Sequence, residues 1–134
     1  LRDVINTERY CAADAVIFLH DCLPLTVAMT TRVHADVSVS GAYPGWWTGD
    51  VWKLIPILRK YWPDLQMTFL DCPPTGLVMI TRLDPKNTSL KDNYEKIVAE
   101  FMGVELNEDG LVDYLASCPV RSSKEFLESC LEQD

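Results

Sequence analysis

The stretch that most constrains this chain is Ala15-Val16-Ile17-Phe18-Leu19, which runs without a break into His20-Asp21-Cys22-Leu23-Pro24. An uninterrupted apolar run rich in β-branched and aromatic residues predicts a strand buried on both faces. Open α/β sheets place their ligands just beyond the carboxyl ends of such strands. His20 and Asp21 stand at that end and are the first candidate site residues.

The length, 134 residues, suits one sizeable core. A formal net charge of −8 argues against a nucleic-acid backbone as partner. No apolar run reaches the length of a membrane span, and Arg2, Asp3, Asn6, Glu8 and Arg9 interrupt any leader-like start, so no membrane partner is expected. The five cysteines are widely spaced, with no CxxC and no paired Cys/His spacing. Reduced thiols in a cytoplasmic protein are the plain expectation. Residue 1 is Leu, and Leu1, Val4, Ile5 and Glu8 already lie on adjacent turns of a helix with no capping residue ahead of them. The expectation is a fragment that lacks an N-terminal part; a processed terminus is the alternative.

The first helix should end near 11–14, and a strand follows at once, as in α/β units. Residues 25–32 offer a turn or two of helix, and 33–47 read as a loop with an extended piece at 37–39. His34 lies in that loop and is expected to face solvent. Thr48 to Trp62 is the clearest helix, with Thr48 as N-cap and Val51, Leu54, Ile55, Leu58 and Trp62 on one stripe. Pro56 should remove the bond to the Trp52 carbonyl and kink it, while Lys53, Arg59 and Lys60 face water. Two strands, 65–72 and 77–83, flank the turn Pro73-Pro74-Thr75-Gly76 and predict an antiparallel hairpin. Beyond it, helices are predicted over 89–102, 108–117 and 122–131, with capping spacing at Ser89/Asp92 and Ser122/Glu125.

The order of helix, buried strand, long loop, Trp-rich helix and strand hairpin resembles the C-terminal half of a class I S-adenosylmethionine-dependent methyltransferase. The local motifs are His20-Asp21-Cys22-Leu23-Pro24, Trp47-Thr48-Gly49-Asp50-Val51-Trp52-Lys53, Pro63-Asp64-Leu65 and Pro74-Thr75-Gly76-Leu77. Together they are similar to a bacterial methyltransferase-like subfamily. The resemblance covers residues 1–88 and implies an α/β, Rossmann-like architecture for them, with 89–134 as a helical extension packed on it. It implies methyl transfer from S-adenosylmethionine to a small-molecule acceptor, at oxygen. The family carries a Gly-rich cofactor loop and an acidic ribose-binding residue on earlier strands. The six glycines here form no GxGxxG or GxG after a strand, so no cofactor-binding residue is assigned and the chain alone is expected to be inactive. The strand at 15–19 would then expose one edge, to be covered by the missing N-terminal half or by a second copy in a homo-oligomer. A non-enzymatic interaction or oligomerisation module is the rival expectation.

In metal-dependent members an Asp at this strand end helps bind a divalent cation such as Mg²⁺, which lowers the pKa of the acceptor hydroxyl. The resemblance therefore gives Asp21 a catalytic and a metal role. Here Cys22 stands where the family has Asn, and Cys is a poor Mg²⁺ ligand. Capping of the turn before Pro24 is the other reading of Asp21. His20 is a candidate general base, or a hydrogen-bonded packing residue. Trp46 and Trp47 are candidate substrate-binding walls, with Trp52 assigned to the core. Cys22 and Cys72 are expected to be buried, inert thiols.

Overall fold

Residues 17–20 do form a strand, β1 (Ile17–His20), but only one of its faces is buried. Phe18 is 56% exposed and Val16 44%. The computed structural model describes residues 1–12, 14–33 and 42–132; the loop residues 34–41, including His34 and the extended piece at 37–39, lie outside them. α1 (Arg2–Tyr10) precedes β1 and turns Val4 and Glu8 inward. Its Ile5, and Leu1 just before the helix, also pack on the core.

A 3-10 turn at Val27–Thr30 follows β1. Thr48 does not cap a helix. Its Oγ1 donates to the Met29 carbonyl at 3.0 Å, tying the loop's return to that turn. A 3-10 turn at Val51–Lys53 then feeds α2 (Leu54–Tyr61). The helix therefore starts later than its sequence stripe suggested. Pro56 falls in the first turn of α2, just after the 3-10 turn, a position where a ring without an N–H is tolerated. The Trp52 carbonyl accepts from Tyr114 Oη instead, at 3.3 Å. Ile55, Ile57 and Leu58 of α2 are buried.

β2 (Gln66–Leu70) and β3 (Leu77–Thr81) form the expected antiparallel hairpin, with Leu70 opposite Leu77. β3 also pairs antiparallel with β1, in register Ile17 to Ile80 and His20 to Leu77. Ile17, Leu19, Val78, Ile80, Met67 and Phe69 consequently share the face that meets the core. The opposite face carries Phe18 across from Met79, and it is covered only in part. Hence the two-sided burial expected of β1 is corrected to one-sided burial. Among the described residues β1 is the end strand of the sheet, and its outer face, which carries Phe18, is left largely to solvent.

The predicted helix over 89–102 is two, α3 (Ser89–Asp92) and α4 (Tyr94–Phe101). Asn93 separates them, its side-chain amide donating to Ser89 O at 2.8 Å. The Ser89 N–H is capped by Asn87 Oδ1 at 2.7 Å, not through a Ser89/Asp92 box. α5 (Glu108–Ala116) is capped by Asn107, and α6 (Ser123–Leu131) by Ser122, whose Oγ accepts from the Glu125 N–H at 3.3 Å. Between them lies β4 (Val120–Arg121), which pairs parallel with β2 and which the sequence reading did not anticipate.

The fold is mixed α/β: one four-stranded mixed sheet in the order β1-β3-β2-β4, with six α-helices among the described residues. Leu90, Ile97 and Cys118 of the C-terminal part enter the same core as Val4, Ile55 and Val78. No helix among the described residues is long and apolar enough to cross a membrane.

Candidate functional site

The carboxyl end of β1 and the turn between β2 and β3 meet at one place. Asp21, directly after β1, has a φ of 63°, in the left-handed region that Asp tolerates better than most residues. The Thr75 hydroxyl donates to Asp21 Oδ1, and His20 Nδ1 lies 3.1 Å from the same oxygen. Thr75 itself is buried. Its carbonyl accepts from the Leu23 N–H at 2.9 Å, and the Gly76 N–H donates to Cys72 O at 2.8 Å. The Pro73–Pro74 peptide in this turn is cis. Gly76 has a φ of +74° and packs its bare Cα against the Leu23 side chain. The motifs 20–24 and 73–77, distant in sequence, thus form one interlocked unit.

Cys22 lies beneath this unit, fully buried, and its thiol is directed at the carbonyls of Leu19 and His20. Burial pushes the thiol up to about 12, with the Asp21 charge adding to the effect. It is an inert thiol at neutral pH. The Cys22 carbonyl accepts from Tyr114 Oη at 2.7 Å, so α5 braces the segment from behind. Burial likewise pushes the Tyr114 phenol up, keeping it a neutral donor.

Asp21 opens onto a cavity of about 640 Å³. One wall is apolar, built from Leu54 and Ile57 of α2 and Ile97, Val98 and Phe101 of α4. The rim carries Asp3, Arg32, Trp47 and Asp50. Asp50 binds Lys53 Nζ at 2.9 Å through one oxygen and Arg32 Nε at 3.0 Å through the other. Lys53 is 5% exposed, not solvated as its sequence position suggested. A 3-10 turn in place of the first α-helical turn directs its ammonium back over Asp50 and to within 3.5 Å of the Met102 carbonyl.

The structure brings Asp21, His20 and Trp47 into this neighbourhood and leaves Trp46 out. Trp47 lines the cavity, its indole N–H donating to Thr31 O at 2.6 Å. Trp46 does not line the cavity and packs on Tyr43 with ring centroids 5.0 Å apart. Trp52 is core, as expected. Sequence reasoning missed the roles of Thr75, Arg32 and the α4 wall. Thr75 sits in a Pro-Pro-Thr-Gly string that reads as turn chemistry, and nothing local reveals that its hydroxyl meets Asp21.

Among the described residues, no group of three or more His, Cys, Asp or Glu side chains is placed to hold a metal ion. The donors next to Asp21 are an imidazole and a hydroxyl already bound to its Oδ1, and the Cys22 thiol is buried and protonated. That set does not fit a hard divalent cation, which takes several oxygen ligands. Comparison with family models, curated proteins and solved structures returns no match for this chain.

Proposed function

We propose that this chain carries the acceptor side of a methyltransferase-like α/β domain, which transfers a methyl group from S-adenosylmethionine to a hydroxyl of a small molecule. The observation that carries the reading is Asp21. It stands at the carboxyl end of β1, is oriented by Thr75, has His20 at 3.1 Å, and faces a cavity with an apolar wall. The strand–helix–hairpin order that ends in antiparallel β2 and β3 supports the same reading.

In this mechanism the acceptor's apolar body lies along α2 and α4 with Trp47 at the rim. Its hydroxyl donates to the Asp21 carboxylate, and the Asp21–His20 pair takes the proton as the oxygen attacks. Bound S-adenosylmethionine supplies the electrophilic methyl group. Thr75 positions Asp21, and the apolar wall seats the acceptor's body. The sequence holds no glycine-rich cofactor loop, so the cofactor contacts are assigned to residues outside these 134. In this reading the edge of β1 that no described strand pairs is where a further strand, or a second copy, adds to the sheet. The free thiols are consistent with a cytoplasmic setting.

A second reading, an interaction module, draws on that same edge, because residues 15–19 carry no Lys, Pro or inward charge to guard it. Calorimetric titration with S-adenosylmethionine separates the two. The full-length gene product should bind it and methylate an acceptor, and Asp21→Asn should lower turnover about 10²-fold with cofactor affinity unchanged. Binding by residues 1–134 alone would refute the assignment of cofactor contacts elsewhere. Absence of binding by the full-length product would leave the module.

A further inference from the structure

We infer that Glu8 is a proton-operated latch that seats α1 on the core while neutral and loosens it when ionised. α1 turns Val4 and Glu8 to the protein interior, and Leu1 and Ile5 pack partly on the same core, so a carboxyl shares the helix's core face. Glu8 is 3% exposed, and its Oε1 is buried without a hydrogen-bond partner. A neutral carboxyl tolerates such a place far better than a carboxylate, because burial penalises the charged form most.

The charged groups around Glu8 offer it no relief. Asp84, in the segment after β3, acts on it with the same sign. On its own helix, Arg2 donates to Tyr94 Oη at 2.8 Å and Arg9 stacks over the Tyr10 ring. No ion pair among the described residues includes Glu8.

The sign follows from these surroundings. Burial first, and Asp84 second, raise the carboxyl from its ordinary 4.5 to about 7. The seated helix therefore binds the proton more tightly than the released one. Seating is at full strength below the ordinary value and weakens as pH rises through about 7. Since Asp3 of α1 and Leu1 just before it line the cavity, release of α1 opens that side of it. The latch stands without the function proposed above; only its effect on a ligand rests on that reading.

Two measurements test it. A carbon-detected NMR titration of the Glu8 carboxyl should show a midpoint near 7; a midpoint below about 5, the range of an unperturbed Glu, would overturn the latch. Amide exchange along α1, corrected for intrinsic rates, should lose protection on the order of tenfold between about pH 6 and 8, a shift that follows from proton linkage. In Glu8→Gln that loss should vanish. Wild-type pH dependence retained in Glu8→Gln would overturn the assignment to this residue, and the wild-type titration stands as a test even if the variant folds poorly.

Discussion

Replacing Gly76 by Ala probes whether the 20–24 and 73–77 segments are truly interlocked. Two costs are expected. Gly76 has a φ of +74°, where an L-residue is disfavoured by about 1–2 kcal/mol. A Cβ there would also stand 2.7 Å from Leu23 Cγ and 2.8 Å from Leu23 Cβ, and closer still to Cδ1. Leu23 cannot retreat easily, since it is buried and its N–H is bonded to Thr75 O. Overpacking of that kind costs about 1–3 kcal/mol, giving a total of about 2–5 kcal/mol. Gly45 is the internal control, because its φ is also +74° but nothing lies within 4 Å of a built Cβ. Urea unfolding of the two Ala variants isolates the packing cost, because the backbone cost is common to both. Gly76→Ala should lower the midpoint well beyond Gly45→Ala and, by displacing Thr75, weaken any ligand bound at Asp21. Equal losses in the two variants would refute the interlock.

Tyr114→Phe removes the hydroxyl that donates to the carbonyls of Cys22 and Trp52, and should cost about 1–2 kcal/mol in the same unfolding assay. Lys53→Met keeps the buried stem but strips Asp50 of one cation. Because Asp50 retains Arg32 and is partly solvated, a loss of about 1–2 kcal/mol is expected, and it should shrink in high salt.

Much of the fold was legible in local signals. The β2–β3 hairpin followed from two apolar runs around a Pro-Pro-Thr-Gly turn, and α6 from the Ser122/Glu125 spacing that proved to be a working cap. Asp21 and His20 were legible as candidates because the end of an apolar run is itself a sequence feature, although the strand there is buried on one face only. Lys53 departs from its expected solvent position for an equally local reason: the chain there takes a 3-10 turn, not the α-helical turn its spacing implies, and the ammonium points inward.

What the sequence determined by itself was the succession of α1, β1, α2, the β2–β3 hairpin and a helical C-terminal part, with β4 and the break at Asn93 left out, since periodicity, caps and turn residues act between near neighbours. Tertiary structure alone decided which face of β1 is buried, because that depends on pairing with Ile80 and Val78 some sixty residues away. It alone decided that Thr75 meets Asp21, that Tyr114 braces Cys22, and that α4 walls the cavity. It also left a carboxyl at the core face of α1. The residue's helical position was plain from the start, but only packing removes the water that would have kept Glu8 charged.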